Sequence, residues 1–157
     1  EQVTHTVDLV RFLCGEAVEV AAFAAKGFNQ GVPGYSIDDA MSVAIHFASG
    51  GVCNLHSCCA STAKGGVSLE VFATKVAFDF RGWEHTCKIY RPGQDVEEIK
   101  GEGDIFKVED EAFLKAVRTG NPKGILCPYG DALKTLEISL AANLSAQKGK
   151  VVKLGSF

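Results

Sequence analysis

Glu1, His5 and Asp8 stand in the opening stretch EQVTHTVDLVRFLCGE. If that stretch is helical, about 100° per residue brings the three of them, with Phe12, into one narrow arc. An imidazole flanked by two carboxylates is equipment for moving protons, because the carboxylates orient the ring and tune its proton affinity. The same arc also describes the water-facing back of an amphipathic helix. Spacing alone does not decide between these readings. Val3, Val7, Val10, Leu13 and Cys14 gather on the opposite side, where they predict a docking face, and Gly15 is a C-terminal cap in the left-handed conformation that glycine adopts without steric cost.

Two further histidines, His46 and His56, raise a metal hypothesis. In the hairpin register argued below they are diagonal neighbours, with side-chain origins about 7 Å apart. Zinc requires at least three protein ligands at ~2 Å, and no Cys, Asp or Glu joins the pair on that face, so no metal site is expected. The six cysteines (14, 53, 58, 59, 87 and 127) are irregularly spaced and lie in apolar runs. They read as reduced, mostly buried small hydrophobes, which favours a reducing, cytoplasmic setting.

These residues need elements to hold them. AVEVAAFAA (17–25) reads as a strand, followed by a loop rich in Gly, Asn and Pro up to residue 39. AMSVAIHFASGGVCNLHSC reads as a hairpin. A three-residue loop Ser49-Gly50-Gly51, with Gly51 left-handed, sets Phe47 opposite Cys53, Ile45 opposite Leu55 and Val43 opposite Ser57. That register leaves Ala44, His46, Ala48, Val52, Asn54 and His56 on the other face, and a one-residue slip would mix the two sets. Further strands are expected in SLEVFA, VAFDF, TCKIYR and VEEIK. The period then changes. Val108, Phe113, Leu114 and Val117 recur at helical intervals before Gly120, and Leu133, Leu136, Leu140 and Leu144 form a stripe between Pro128 and Gly149. A last short strand, VVKL, follows. Helix, about six strands, two helices and a strand predict an α+β fold: a mainly antiparallel open sheet with helices on one face, in two layers.

At 157 residues, 46% apolar and 22% charged, the chain has one domain's worth of material and an ordinary soluble composition. A formal charge of −3 without a Lys/Arg cluster argues against nucleic acid or anionic lipid as a partner. No apolar run approaches the ~20 residues that cross a bilayer, and no signal peptide is expected.

EQVTHTVDLVRFLCGE, DDAMSVAIHFASGGV, EAFLKAVRTGNP and DALKTLEISLAANLSAQKGKVVKL, in that order, resemble the C-terminal domain of the glucose-fructose oxidoreductase / inositol dehydrogenase / rhizopine-catabolism family (Gfo/Idh/MocA) of NAD(P)-dependent oxidoreductases. The resemblance spans nearly the whole chain. It implies a two-domain enzyme in which residues 1–157 are the substrate-binding and oligomerisation domain, while NAD or NADP is held mainly by an N-terminal Rossmann domain. This sequence contains no G-x-G-x-x-G after a strand, nor the Glu-Lys-Pro segment that supplies the family's active-site lysine. A start at Glu1, inside a motif, fits a chain whose preceding half is absent.

The resemblance maps the family's catalytic histidine onto His5, an acidic substrate-binding residue one turn earlier onto Glu1, where many members carry aspartate, and another one turn later onto Asp8. It implies hydride transfer from a sugar, polyol or related hydroxy compound, with the substrate proton leaving through His5 and the missing lysine. It also implies assembly of a homo-oligomer through the sheet face. Lys64 falls where members of the family approach substrate, but a loop lysine is ordinarily solvated; Trp83 could stack on a sugar ring, but a lone Trp is ordinarily a packing residue. The alternative to the enzyme is a non-catalytic sheet domain that serves assembly.

Overall fold

The computed structural model describes residues 3–28 and 31–155. The chain divides into two compact units, one made of residues 1–62 and 127–157, the other of residues 63–126. The first holds α1 (Thr4–Cys14), β1 (Ala17–Ala25), β2 (Ala40–Phe47), β3 (Val52–Cys58), α3 (Tyr129–Lys148) and β8 (Val152–Lys153). The second holds β4 (Ser68–Ala73), β5 (Val76–Arg81), β6 (Thr86–Tyr90), β7 (Glu97–Ile99) and α2 (Ile105–Thr119). The α+β class and the antiparallel pairing are as the sequence implies. The strands form two four-stranded sheets, β3-β2-β1-β8 and β4-β5-β6-β7. No helix of the described residues is long and apolar enough to cross a membrane.

In the first unit the alternation of β2 and β3 separates the faces as expected. Val43, Ile45, Phe47 and Leu55 are buried together with Val20 and Ala22 of β1, while Ser42, Ala44, His46, Val52, Asn54 and His56 face outward. The register itself differs by two residues: Val43 pairs with Leu55, Ile45 with Cys53 and His46 with Val52. The loop is Ala48-Ser49-Gly50, closed by Gly50 N–H on the Phe47 carbonyl, and the left-handed residue is Gly50 (φ +85°) rather than Gly51. A shift of two preserves the faces because side chains repeat every second residue. It separates His46, opposite Val52, from His56, opposite Ser42, by four strand positions, roughly 13 Å.

α3 lies against β1 through small side chains. Its buried residues are Thr135, Ile138, Ala141, Ala142 and Ser145; Leu133, Leu136 and Leu140, on the stripe read from the sequence, are about half exposed. Small residues let the helix backbone come close to the strand. Ser145 Oγ accepts the backbone N–H of Ala22 at 2.9 Å and donates to the Lys150 carbonyl at 2.7 Å. In the connection between β1 and β2, Asp39 is 1% exposed; its carboxylate accepts the Phe28 N–H and the Tyr35 hydroxyl, each at 2.9 Å, which folds that segment back on itself.

The second unit is a meander with two unlike faces. Leu69, Val71, Phe78, Phe80, Cys87 and Ile89 share one face through the pairings Leu69–Phe80–Cys87 and Val71–Phe78–Ile89. On the other face Arg81 bridges Glu70 and Asp79, both at 2.6 Å, and Lys88 approaches Glu98 at 3.7 Å. The cysteines depart from expectation. All six are free, but only Cys87 is buried, whereas Cys58 and Cys127 are exposed.

Gly101 is held by steric contact. A Cβ there would lie 1.7 Å from the Glu84 carbonyl oxygen and 2.9 Å from the Thr86 nitrogen. We expect Gly101→Ala to lower stability by at least the roughly 1–3 kcal/mol that overpacking costs. Gly103→Ala, where an added carbon meets nothing within 4 Å, should be near neutral. Urea unfolding of both variants checks this.

Candidate functional site

The helix that carries His5 and Asp8 is held by polar contacts as much as by its apolar stripe. Val7 and Val10 of α1 are buried, at 5% and 2% exposure, but so is Arg11, at 7%. Arg11 lies about 40° from Val7 around the helix, inside the apolar stripe. Its Nη1 donates to Thr135 Oγ1 at 3.0 Å, and its Nη2 donates to Asp131 Oδ1. The same guanidinium lies 3.6 Å from Asp8 Oδ1 and 3.5 Å from Glu16 Oε2. Glu16 in turn accepts from Lys134 Nζ at 2.8 Å. Four charged residues, from α1, the turn after it and α3, are thus organised around one arginine, and α1 is locked to α3.

The C-terminus of α1 is fixed separately. Gly15 (φ +90°) returns its N–H to the Arg11 carbonyl at 2.8 Å, the capping role its position implies. The hairpin tip supplies two more bonds, from Ser49 Oγ to the Cys14 carbonyl at 3.1 Å and from Ala48 N–H to the Glu16 carbonyl at 2.8 Å. Carbonyls at a helix end have no partner within the helix, so contacts of this kind set its direction.

His5 is exposed, on the side of α1 away from Val7 and Val10. Asp8 is half-buried at the boundary between the open and docked sides. Its Oδ1 accepts the Thr135 hydroxyl at 2.6 Å and the Cys127 thiol at 3.7 Å. Glu1 lies outside the described residues. Lys64 and Trp83 are both exposed and belong to the second unit. Arg11, Asp131 and Thr135 escaped the sequence reading. The available signal was an arginine inside an apolar stripe with Asp8 three residues before it, a cation that needs buried partners.

Electrostatics follow the contacts. The Arg11 hydrogen bond holds the Asp131 carboxyl below the usual carboxylate range, and the Lys134 hydrogen bond does the same for Glu16. Burial, followed by the charges of Asp8 and Asp131, pushes the Cys127 thiol up. Asp8, Cys127 and Asp131 bring three ligand-type atoms within 4.8 Å of one another, but Arg11 already supplies the positive charge there. A concavity of about 370 Å³ lies in the β1–β2 connection, lined by residues such as Lys26, Tyr35 and Asp39; neither His5 nor Asp8 borders it.

A family model for the GFO/IDH/MocA C-terminal domain matches residues 1–79. Among solved structures, levoglucosan dehydrogenase in complex with NADH aligns with a TM-score of 0.83 at 19% identity, over 99% of this chain and 49% of that one. A putative NADPH-dependent oxidoreductase from Desulfitobacterium hafniense aligns at 0.78 and 20% identity, over 96% and 46%. UDP-N-acetylglucosamine 3-dehydrogenase GnnA from Acidithiobacillus ferrooxidans aligns at 0.78 and 19%, over 94% and 46%. The chain spans about half the length of these structures. No curated protein matches it.

The lowered Asp131 carboxyl fixes the sign of a pH effect. Its contribution to stability is fully present above the ordinary aspartate value near 4 and is lost as pH falls through the lower folded value. We expect Arg11→Met to lower the unfolding midpoint at neutral pH and to flatten the acid limb below about pH 4, since Asp131 then has no bound cation to lose. Thermal unfolding from pH 7 to 2 compares the two slopes.

Proposed function

The chain belongs to the GFO/IDH/MocA family as a C-terminal domain, and on that premise we propose that it is the substrate-binding half of an NAD(P)-dependent oxidoreductase acting on a sugar, polyol or related hydroxy compound. The observation that carries this reading is that the family match, over residues 1–79, includes the helix presenting His5 on its open side, with Asp8 one turn on. The named dehydrogenases for levoglucosan and for UDP-N-acetylglucosamine act on carbohydrates, which supports the substrate class. Six free thiols fit a reducing cytoplasm.

The residues here do not suit the dinucleotide itself. One passage resembles a phosphate-binding turn, where β7 leads through Gly101-Glu102-Gly103-Asp104 into α2. It carries two carboxylates at the helix start, where a pyrophosphate would be repelled, and Phe106 where the third glycine would stand. In this reading the nicotinamide cofactor, NAD or NADP, is held mainly by an N-terminal Rossmann domain, as the family resemblance implies, and this passage does not compete for it.

In this reading His5 meets the substrate hydroxyl and accepts or orients its proton. Asp8, and Glu1 one turn before His5, bind neighbouring hydroxyls. The clamp on α1 keeps the imidazole from drifting, and misplacement by 1 Å is enough to cost catalysis on the order of 10²-fold. In the full-length enzyme we expect His5→Ala to lower kcat by about a hundredfold or more with cofactor affinity unchanged. Steady-state kinetics with fluorescence titration of the cofactor tests it; an equally active variant returns α1 to a water-facing helix.

The outer face of the first sheet favours a companion role in self-association. Ser42, Ala44, Val52, Asn54 and His56 are short or uncharged, and Val52 and Phe23 are about 80% exposed. Glu19 of β1, 3.3 Å from His46 Nδ1, is the charged exception. Two such faces could approach to about 10 Å. Ala44→Glu would bury an unpaired carboxylate at a cost of roughly 3–5 kcal/mol, so light scattering on the full-length protein should show the variant shifted to monomers. A monomeric wild type, or a variant of full oligomeric mass, refutes the interface.

A further inference from the structure

We propose that Thr135 is a positioning residue for substrate binding, acting by fixing which oxygen of Asp8 faces the open side of α1; the inference rests on the reading of α1 as the substrate-facing helix. A carboxylate can turn about its last torsion and present either oxygen. Among the described residues, the hydrogen bonds and the ion pair of Asp8 all fall on Oδ1: the Thr135 hydroxyl at 2.6 Å, the Cys127 thiol at 3.7 Å and Arg11 Nη1 at 3.6 Å. In this proposal Oδ2 is the oxygen that takes a ligand hydroxyl.

The direction of the Thr135 bond is determined by its neighbour. Thr135 is 2% exposed, and its Oγ1 receives the Arg11 Nη1 proton at 3.0 Å. A guanidinium only donates, a carboxylate only accepts, and a hydroxyl has a single proton. Thr135 must therefore spend that proton on Asp8, and the order Arg11 to Thr135 to Asp8 cannot reverse. At 3.6 Å the direct approach of Arg11 to Asp8 is an ion pair longer than a hydrogen bond. Thr135 is thus the group that transmits the orientation of the buried arginine to the exposed helix face. Its methyl group would survive in valine and its hydroxyl in serine, so the two functions of the side chain can be separated.

The test uses the full-length enzyme with a sugar or polyol that it oxidises. Thr135→Val should raise KM for that compound about tenfold, the scale of one hydrogen bond to a charged group, and leave kcat within about twofold. Thr135→Ser should restore the wild-type KM. In an Asp8→Asn background Thr135→Val should add nothing further to KM, because both act through the same carboxylate. Should the valine variant fail to fold, Thr135→Ala, which also lacks the hydroxyl, is read in the same way. Wild-type KM in folded hydroxyl-less variants, or additive effects with Asp8→Asn, overturns the proposal and leaves Thr135 a packing residue. His5→Ala run in parallel separates the two ideas: if it retains full activity, the substrate-facing reading of α1 fails, whatever Thr135 does.

Discussion

A guanidinium taken almost wholly out of water needs counter-charges and hydrogen-bond acceptors, and the first unit is arranged around that need, with Nε met, among the described residues, only by the 3.5 Å ion pair to Glu16. Arg11 projects from α1 among valines, where it is 7% exposed. Desolvating one cation costs several kcal/mol unless it is paired and hydrogen-bonded. The partners come from three places: Asp8 on its own helix, Glu16 in the turn that follows, and Asp131 with Thr135 at the start of α3. Because Asp131 and Thr135 stand about 120 residues away in the chain, the pairing also selects the docking of the last helix on the first. Apolar contact alone tolerates sliding, whereas a planar fork with defined donors does not.

What was legible in the sequence was whatever depends on local period. Strand alternation in β2 and β3 identified the buried face residue by residue, and helix ends at Gly15, Gly120 and Gly149 lie where the glycines stand. The hairpin loop was misplaced by one residue because Gly50 and Gly51 are equally able to take a positive φ. The choice is made by distant bonds, from Ser49 and Ala48 to the end of α1. The leucine stripe of α3 misled for a related reason: leucines mark an apolar surface, but close approach to β1 is decided by size, and the residues that fit are Ala141, Ala142 and Ser145.

The sequence nominates residues for the candidate site but not the contacts that support them. His5 and Asp8 stand out by type and spacing, and the family resemblance gave them roles. Thr135 could not stand out. It is an ordinary threonine on a helix, and its significance comes from two hydrogen bonds to α1 that no sequence window contains. Division of the strands into two sheets was likewise hidden, since short turns join β4 to β7 just as they join β2 to β3. Only the chemistry of the exposed faces hints at the difference: one is nearly uncharged, while the other carries Glu70, Asp79, Arg81, Lys88 and Glu98.

The short final strand has a consequence for the borders of the first sheet. β8 pairs with β1 only at Glu19 and Val20, so the rest of that border would expose backbone donors to any extended peptide. At Ala22 the donor is consumed by the Ser145 hydroxyl, a side chain that cannot be continued into a further strand. β8 itself is two residues long, too short to template a neighbour. That border is therefore interrupted at Ala22, which works against the continuous ladder that strand addition and runaway edge pairing require. Lateral growth of this sheet, by domain swapping or by capture of an unfolded segment, therefore meets less obstruction at the opposite border, where β3 runs for seven residues.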